Sequence, residues 1–362
     1  RQRLSTVYMP GHKITMLPDD VVQAYTLQEG VECPSVSLYA TFDEGSLALK
    51  STETKLERVP ITINLRHDVL DAVVTDEWLT AAHAGDNHPV ANLHAPLAFL
   101  HRLATALKAQ REVVRGKPEN FNRPDYNFRL VGVEGPEPTG EERVEITPRR
   151  RGAPLDLIVA EAMILANSTW GQWLAELGVP AIYRSQASLA PGVKVRMGTK
   201  ALPHAGIGVK SYAWSTSPLR RYTDLVNQWQ IIAAARHGRT AALAAPFKPK
   251  DAELFSIISG FDAAYTAYNS HQATMERYWT LKHLQQHGMT EIVGALFKEG
   301  LVRADDVPLV LPVMGGAELP RGAHARVKLG DIDLITLDVK GTVTQRLDLP
   351  AEPVDLEDEP DD

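Results

Sequence analysis

YAWSTSPLRRYTDLVNQ, residues 212–228, decides how the rest of the chain is read. Thr216 or Ser217 followed by Pro218 has the form of an N-cap and a proline at the first helical position, so a helix is predicted to start here and run toward Gly238. Arg220 and Arg221 then fall in its first turn. A helix N-terminus carries partial positive charge, and each cation placed there costs about 0.3–1 kcal/mol. Two explanations stand side by side. Asp224 is spaced to pair with either arginine and to offset the cost on the surface. Alternatively an anion occupies the helix mouth, where backbone N–H groups, the Ser217 hydroxyl and a guanidinium fork converge on one phosphate.

The charge around this stretch is one-sided. From Arg184 to Arg221 the chain carries Arg184, Lys194, Arg196, Lys200, Lys210, Arg220 and Arg221 and no Asp or Glu. Such a run suits a phosphate backbone, because each contact releases condensed counterions; its bland alternative is a solvated loop. A second basic cluster, Arg149 to Arg151, precedes another helical pattern. The net charge of −7 does not argue against a polyanionic partner: the terminal run LPAEPVDLEDEPDD supplies all of it, leaving the remainder neutral.

The 362 residues suffice for two or three domains, and a 44% hydrophobic, 23% charged composition is that of globular protein. One cysteine, Cys33, permits no internal disulfide, and no cysteine and histidine cluster suggests zinc. With no apolar run near the ~20 residues of a membrane span, a cytoplasmic location without membrane contact is expected. The chain opens at Arg1 without an initiator Met and already in patterned sequence, which suggests a piece of a longer polypeptide.

Along the chain, VSLYATF and ITINL read as strands around a DEGS turn, and Leu97, Leu100, Leu103 and Leu107 line a helix from His94 to Arg115. RPDYNFRLVGVEG and RVEIT read as strands. PLDLIVAEAMILANSTWGQWLAELG, residues 154–178, is the clearest helix. Leu155, Ile158, Val159, Ala162, Met163 and Ala166 form its core stripe, leaving Glu161 and Asn167 for a cleft. Residues 251–287 are helical, divided at Gly260; GIG at 206–208 is too short for a nucleotide loop. From Ile292 onward, closely spaced strands suggest a small barrel of OB type, a fold used for single-stranded nucleic acid.

YAWSTSPLRRYTDLVNQ resembles the signature of the RNB domain of the ribonuclease II family. IVAEAMILAN (158–167), RPDYNF (123–128) and VYMPGHKITMLP (7–18) resemble three further blocks in the family's order. The resemblance implies an α+β fold, a mixed α/β RNB-type catalytic domain over residues 1–288 with its N-terminal portion missing. An S-one-type OB-fold barrel over 289–349 and an acidic disordered tail over 350–362 complete the expected division. It further implies a hydrolase that degrades single-stranded RNA from the 3′ end to nucleoside 5′-monophosphates with magnesium. Arg220 matches the catalytic arginine at the cleaved phosphate, while Tyr8 and Phe121 match aromatics that clamp stacked bases. Glu161, Arg184, Lys194, Ser217 and Arg221 complete the expected RNA-binding set.

Departures from the family pattern are specific. Ala160 stands where the first of two adjacent acids is usual, His67 where a tyrosine is common, and the segment between IYRSQ and TSP is shortened. The magnesium-holding aspartates of the family lie upstream of VYMPG; Asp19 and Asp20 follow it and do not match, so no metal ligand is assigned. Those ligands are expected outside this segment, earlier in the same gene product or on a companion N-terminal polypeptide. The alternative is a non-catalytic RNA-binding relative that kept the groove and lost the hydrolytic centre.

Overall fold

Pro10 and Gly11 turn the chain between β1 (Val7–Met9) and β2 (His12–Ile14). Gly11 has φ +69°, and a side chain there would collide with Leu130, so the turn seats against a neighbouring strand only as glycine. The computed structural model describes residues 3–121, 123–298 and 300–347. The acidic tail at 350–362 lies outside the described residues.

A short helix α1 (Asp19–Tyr25) leads into a two-stranded ribbon, β3 (Glu32–Phe42) and β4 (Leu49–Pro60), turned by the Asp43 carboxylate accepting from the Gly45 and Ser46 N–H groups. The second strand is thus the polar run LKSTETKLERVP and not ITINL, which continues past it. The ribbon is largely solvated, so β4 has no apolar alternation to betray it. Helices α2 (His67–Leu70) and α3 (Asp76–Thr80) precede α4 (His94–Arg115). A hairpin, β5 (Asp125–Val131) with β6 (Arg143–Arg149), joins α4 to α5 (Pro154–Glu176).

The α5 stripe differs from its expected one. Val159 is 56% exposed, whereas Leu155, Glu161, Asn167, Trp170, Gly171 and Leu174 are buried. Polar side chains occupy the inward face because each finds a buried partner, and so the apolar periodicity points the wrong way. Strands β7 (Tyr183–Ser185) and β8 (Arg196–Gly198) follow.

Helix α6 (Tyr222–His237) starts well after Pro218. Asp224 reaches back to the Ser217 N–H at 2.9 Å, while the Arg220 and Arg221 N–H groups donate to the Ser217 carbonyl. Residues 217–221 therefore form a separate turn, and Arg221, with φ −135° and ψ 128°, occupies the N-cap. A short α7 (Ala241–Ala244) precedes α8 (Ala252–Gln286), 35 residues without a break at Gly260, which tucks against Leu4.

The C-terminal strands β9 (Glu291–Lys298), β10 (Leu301–Ala304), β11 (Val310–Met314), β12 (His324–Leu329) and β13 (Gly341–Leu347) close on themselves in the order β9-β10-β11-β13-β12. Only β11 and β13 pair in parallel. Closure leaves no unpaired edge. Trp279, Leu281 and Leu284 of α8 and Val144 and Ile146 of β6 share one core with Leu296, Val302, Leu309 and Val327. Arg277 of α8 fixes the joint by donating to the Leu337 and Val310 carbonyls at 2.8 and 3.0 Å.

Candidate functional site

The 217–221 turn gives its two arginines opposite surroundings. Asp224 is fully buried, and its carboxylate receives Arg221 Nε at 2.9 Å, Arg221 Nη2 at 3.0 Å and the Ser217 N–H at 2.9 Å. Arg221 is thereby neutralised inside the protein. Arg220 is half-buried, and among the described residues its guanidinium makes no hydrogen bond or ion pair. Burial, with Arg221 beside it, pulls its pKa below the ordinary guanidinium value, and the phenols of Tyr8 and Tyr265 and the Asp224 carboxylate lie within electrostatic reach. A partly desolvated cation next to a second cation is costly unless a counter-anion arrives. The Ser217 N–H is already committed to Asp224 and does not join the predicted convergence on a phosphate; among the described residues the Arg220 fork and the buried Thr216 hydroxyl are left without hydrogen-bond partners.

Three elements meet on Trp214, which is 5% exposed. The Arg184 guanidinium of β7 lies 3.8 Å from its ring centroid and that of Arg221 3.9 Å; Tyr265 of α8 meets it edge-on at 6.1 Å. Cation–π contacts on a desolvated indole contribute ~2 kcal/mol. Arg184 and Arg221, both expected on RNA, are therefore buried in the scaffold behind Arg220. His204, also buried, accepts from the Ile207 N–H through Nδ1, and burial with the nearby Arg184 charge pushes its pKa down to about 4. Segment 4–6 pairs with the turn: Thr6 N–H donates to the Arg220 carbonyl and Tyr222 N–H to that of Leu4. Tyr8, 45% exposed on β1, is brought to the same place, with its N–H on Gln272 of α8.

A second buried network departs from expectation. Glu161, 2% exposed, is gripped by Arg111 of α4, Nε to Oε2 at 3.1 Å and Nη2 to Oε1 at 2.5 Å. Arg111 also donates to Glu119 and to the Ile207 carbonyl. Burial opposes its charge, but its hydrogen bonds to the Glu161 and Glu119 carboxylates outweigh that and raise its pKa. Glu161 consequently has no free oxygen toward a cleft; it is a strut between α4 and α5, and Ala160 beside it is exposed. Phe121, 39% exposed, lies against Gly152 with the Lys108 ammonium 5.0 Å from its ring. Lys194 is exposed in the loop before β8.

Sequence reasoning missed Trp214, Tyr265 and Arg111. An acid on the inward face of α5 was the available signal for Arg111, since a buried carboxylate requires a cation. No group of three or more His, Cys, Asp or Glu side chains among the described residues is placed to hold a metal ion. The described residues therefore do not form a carboxylate site for the magnesium that the resemblance implies.

The mixed α/β scaffold thus holds the half-buried Arg220 guanidinium with the exposed ring of Tyr8 within electrostatic reach. The model of the RNB domain matches residues 1–192 and 187–237, and the chain belongs to this family of ribonucleases. An uncharacterized ribonuclease of Synechocystis is 26% identical over 356 residues, covering 91% of this chain and 48% of the relative. Exoribonuclease 2 of Edwardsiella piscicida is 28% identical over 284 residues, covering 63% and 40%. The chain thus spans about half the length of the curated relatives it matches. Mycoplasma genitalium RNase R, solved with ribose-methylated single-stranded RNA, has the same fold at a TM-score of 0.71 and 15% identity, over 94% of this chain and 62% of that one.

Proposed function

We propose that this chain is the RNA-gripping part of a 3′-to-5′ hydrolytic exoribonuclease, acting on single-stranded RNA and releasing nucleoside 5′-monophosphates by metal-assisted in-line hydrolysis in the cytoplasm. The observation that carries the reading is the half-buried Arg220 guanidinium without a partner among the described residues. In an in-line displacement the non-bridging phosphate oxygens gain charge, and a guanidinium already in place stabilises that charge without reorganising. Tyr8 and Phe121 supply exposed rings for base stacking, ~1–3 kcal/mol per base, and Lys194 an exposed cation for the backbone. Membership of the RNB family and the single-stranded RNA held by the Mycoplasma RNase R support RNA as the partner. The strand order and single parallel pair after Glu291 favour an OB-type barrel for residues 289–349 behind an RNB-type domain at 1–288. Magnesium belongs to this proposal with ligands outside the described residues; nothing in the comparisons supports a companion polypeptide.

A second reading, a non-catalytic RNA-binding relative, is favoured by one observation: at 160 and 161 the first acid is alanine and the second is consumed by Arg111. The complete gene product, given 3′-labelled single-stranded RNA with and without magnesium, separates them. Mononucleotide release with magnesium supports the exoribonuclease; tight binding in both conditions with no release supports the second reading.

A further inference from the structure

Arg220 and Arg221 are adjacent, yet one is bare and the other saturated, and the contacts that saturate Arg221 also fix where Arg220 points. The Arg220 backbone is pinned on both sides. Its N–H donates to the Ser217 carbonyl at 3.2 Å, and its own carbonyl receives Thr6 N–H at 2.9 Å and Ser5 Oγ at 3.1 Å. Arg220 closes the turn and Arg221 follows it in extended backbone, so with both backbones fixed the inward hold on Arg221 sets the frame from which the half-buried Arg220 side chain leaves.

What holds Arg221 inward is a stack on Trp214 together with the Asp224 pair. Trp214 is itself immobilised. Its carbonyl accepts from Asn227 Nδ2 at 2.8 Å, Arg184 lies on its ring and Tyr265 meets its edge. We propose that the Trp214–Arg221 stack is a positioning device for Arg220, an inference that rests on the reading of Arg220 as the phosphate grip. Residue 221 then needs guanidinium chemistry: only a planar fork can lie flat on the indole and at the same time present two N–H groups to one carboxylate, whereas the point charge of lysine cannot do both at once.

The test is a double-mutant cycle read by the affinity of this chain for a fluorescent single-stranded oligoribonucleotide across a salt series. Arg220→Ala is expected to weaken binding about tenfold and to lower the log–log salt slope by about 0.7, the loss of one phosphate contact. Arg221→Lys and Trp214→Met are each expected to do the same while remaining folded, and Trp214→Phe, which keeps an aromatic face, to bind as wild type. Combined with Arg220→Ala, Arg221→Lys or Trp214→Met should add no further loss, because both act through the same side chain. Losses that multiply in the double variants, or a silent Arg221→Lys, overturn the positioning role and leave the Arg220 reading standing. An unchanged affinity and slope for Arg220→Ala overturns both. If Trp214→Met fails to fold, Arg221→Lys alone decides the cycle.

Discussion

Glu161 and Arg111 show how a single residue misleads when its partner is distant in sequence. The acid sits on the inward face of α5, where it would be prohibitively costly alone, and Arg111 meets it from α4 with both faces of the guanidinium in use. Arg111 was illegible because the end of α4, KAQREVVR, reads as a solvated charged face. Glu161→Ala leaves a buried cation short of a partner and is expected to cost about 3–5 kcal/mol by urea denaturation, with RNA affinity of the folded protein within about twofold of wild type. A large, specific loss of ribose discrimination at unchanged stability would restore Glu161 as an RNA contact. His204 gives a pH signature of the same kind. In the unfolded chain its ring binds a proton near pH 6.5, whereas the native ring, held low by burial and then by Arg184, does so only at about 4. Between those values the unfolded state holds more protons, so stability falls as pH falls through the window, by about 3 kcal/mol in full. His204→Gln should flatten the pH dependence of urea stability between pH 6.5 and 4 relative to wild type; parallel profiles contradict the assignment.

At the scale of elements, the sequence was legible where one rule acted alone and failed where a side chain competed with it. The β5–β6 hairpin and the end strands followed their apolar periods, and α4 did so at Leu97 and Leu103, whereas Leu100 of its expected stripe is 40% exposed and Ala104 and Arg111 take the inward face. The TSP turn did not become the helix start, because Asp224 captures the Ser217 N–H and makes Arg221 the cap. The 206–208 loop has a packing reason in place of a nucleotide one: Gly208, at φ +77°, abuts the Arg111 backbone so closely that any side chain would collide with it. Gly208→Ala is expected to cost about 1–3 kcal/mol, from the backbone conformation alone upward, and to lower the urea midpoint accordingly. An unchanged midpoint would mean that the loop does not rest on α4.

Across the whole molecule, order of motifs carried more than any motif. Four blocks in sequence placed the chain in its family, and the strand count after Ile292 anticipated a closed sheet, but neither the shared core between that sheet and α8 nor the stack on Trp214 could be read. The shared core, and the Arg184 and Tyr265 contacts to Trp214, join residues far apart in the chain, and the nearer Arg221 contact spans an irregular turn; for neither does a lone sequence hold a periodic trace. They converge on one claim, that a phosphate of single-stranded RNA is met by Arg220. The most direct measurement compares turnover and RNA affinity of the complete gene product with those of its Arg220→Ala variant. The expected result is a fall in turnover of about a hundredfold or more against a loss of affinity of about tenfold, because the guanidinium acts most where charge develops. Equal falls in both would reduce Arg220 to one attractive charge among many.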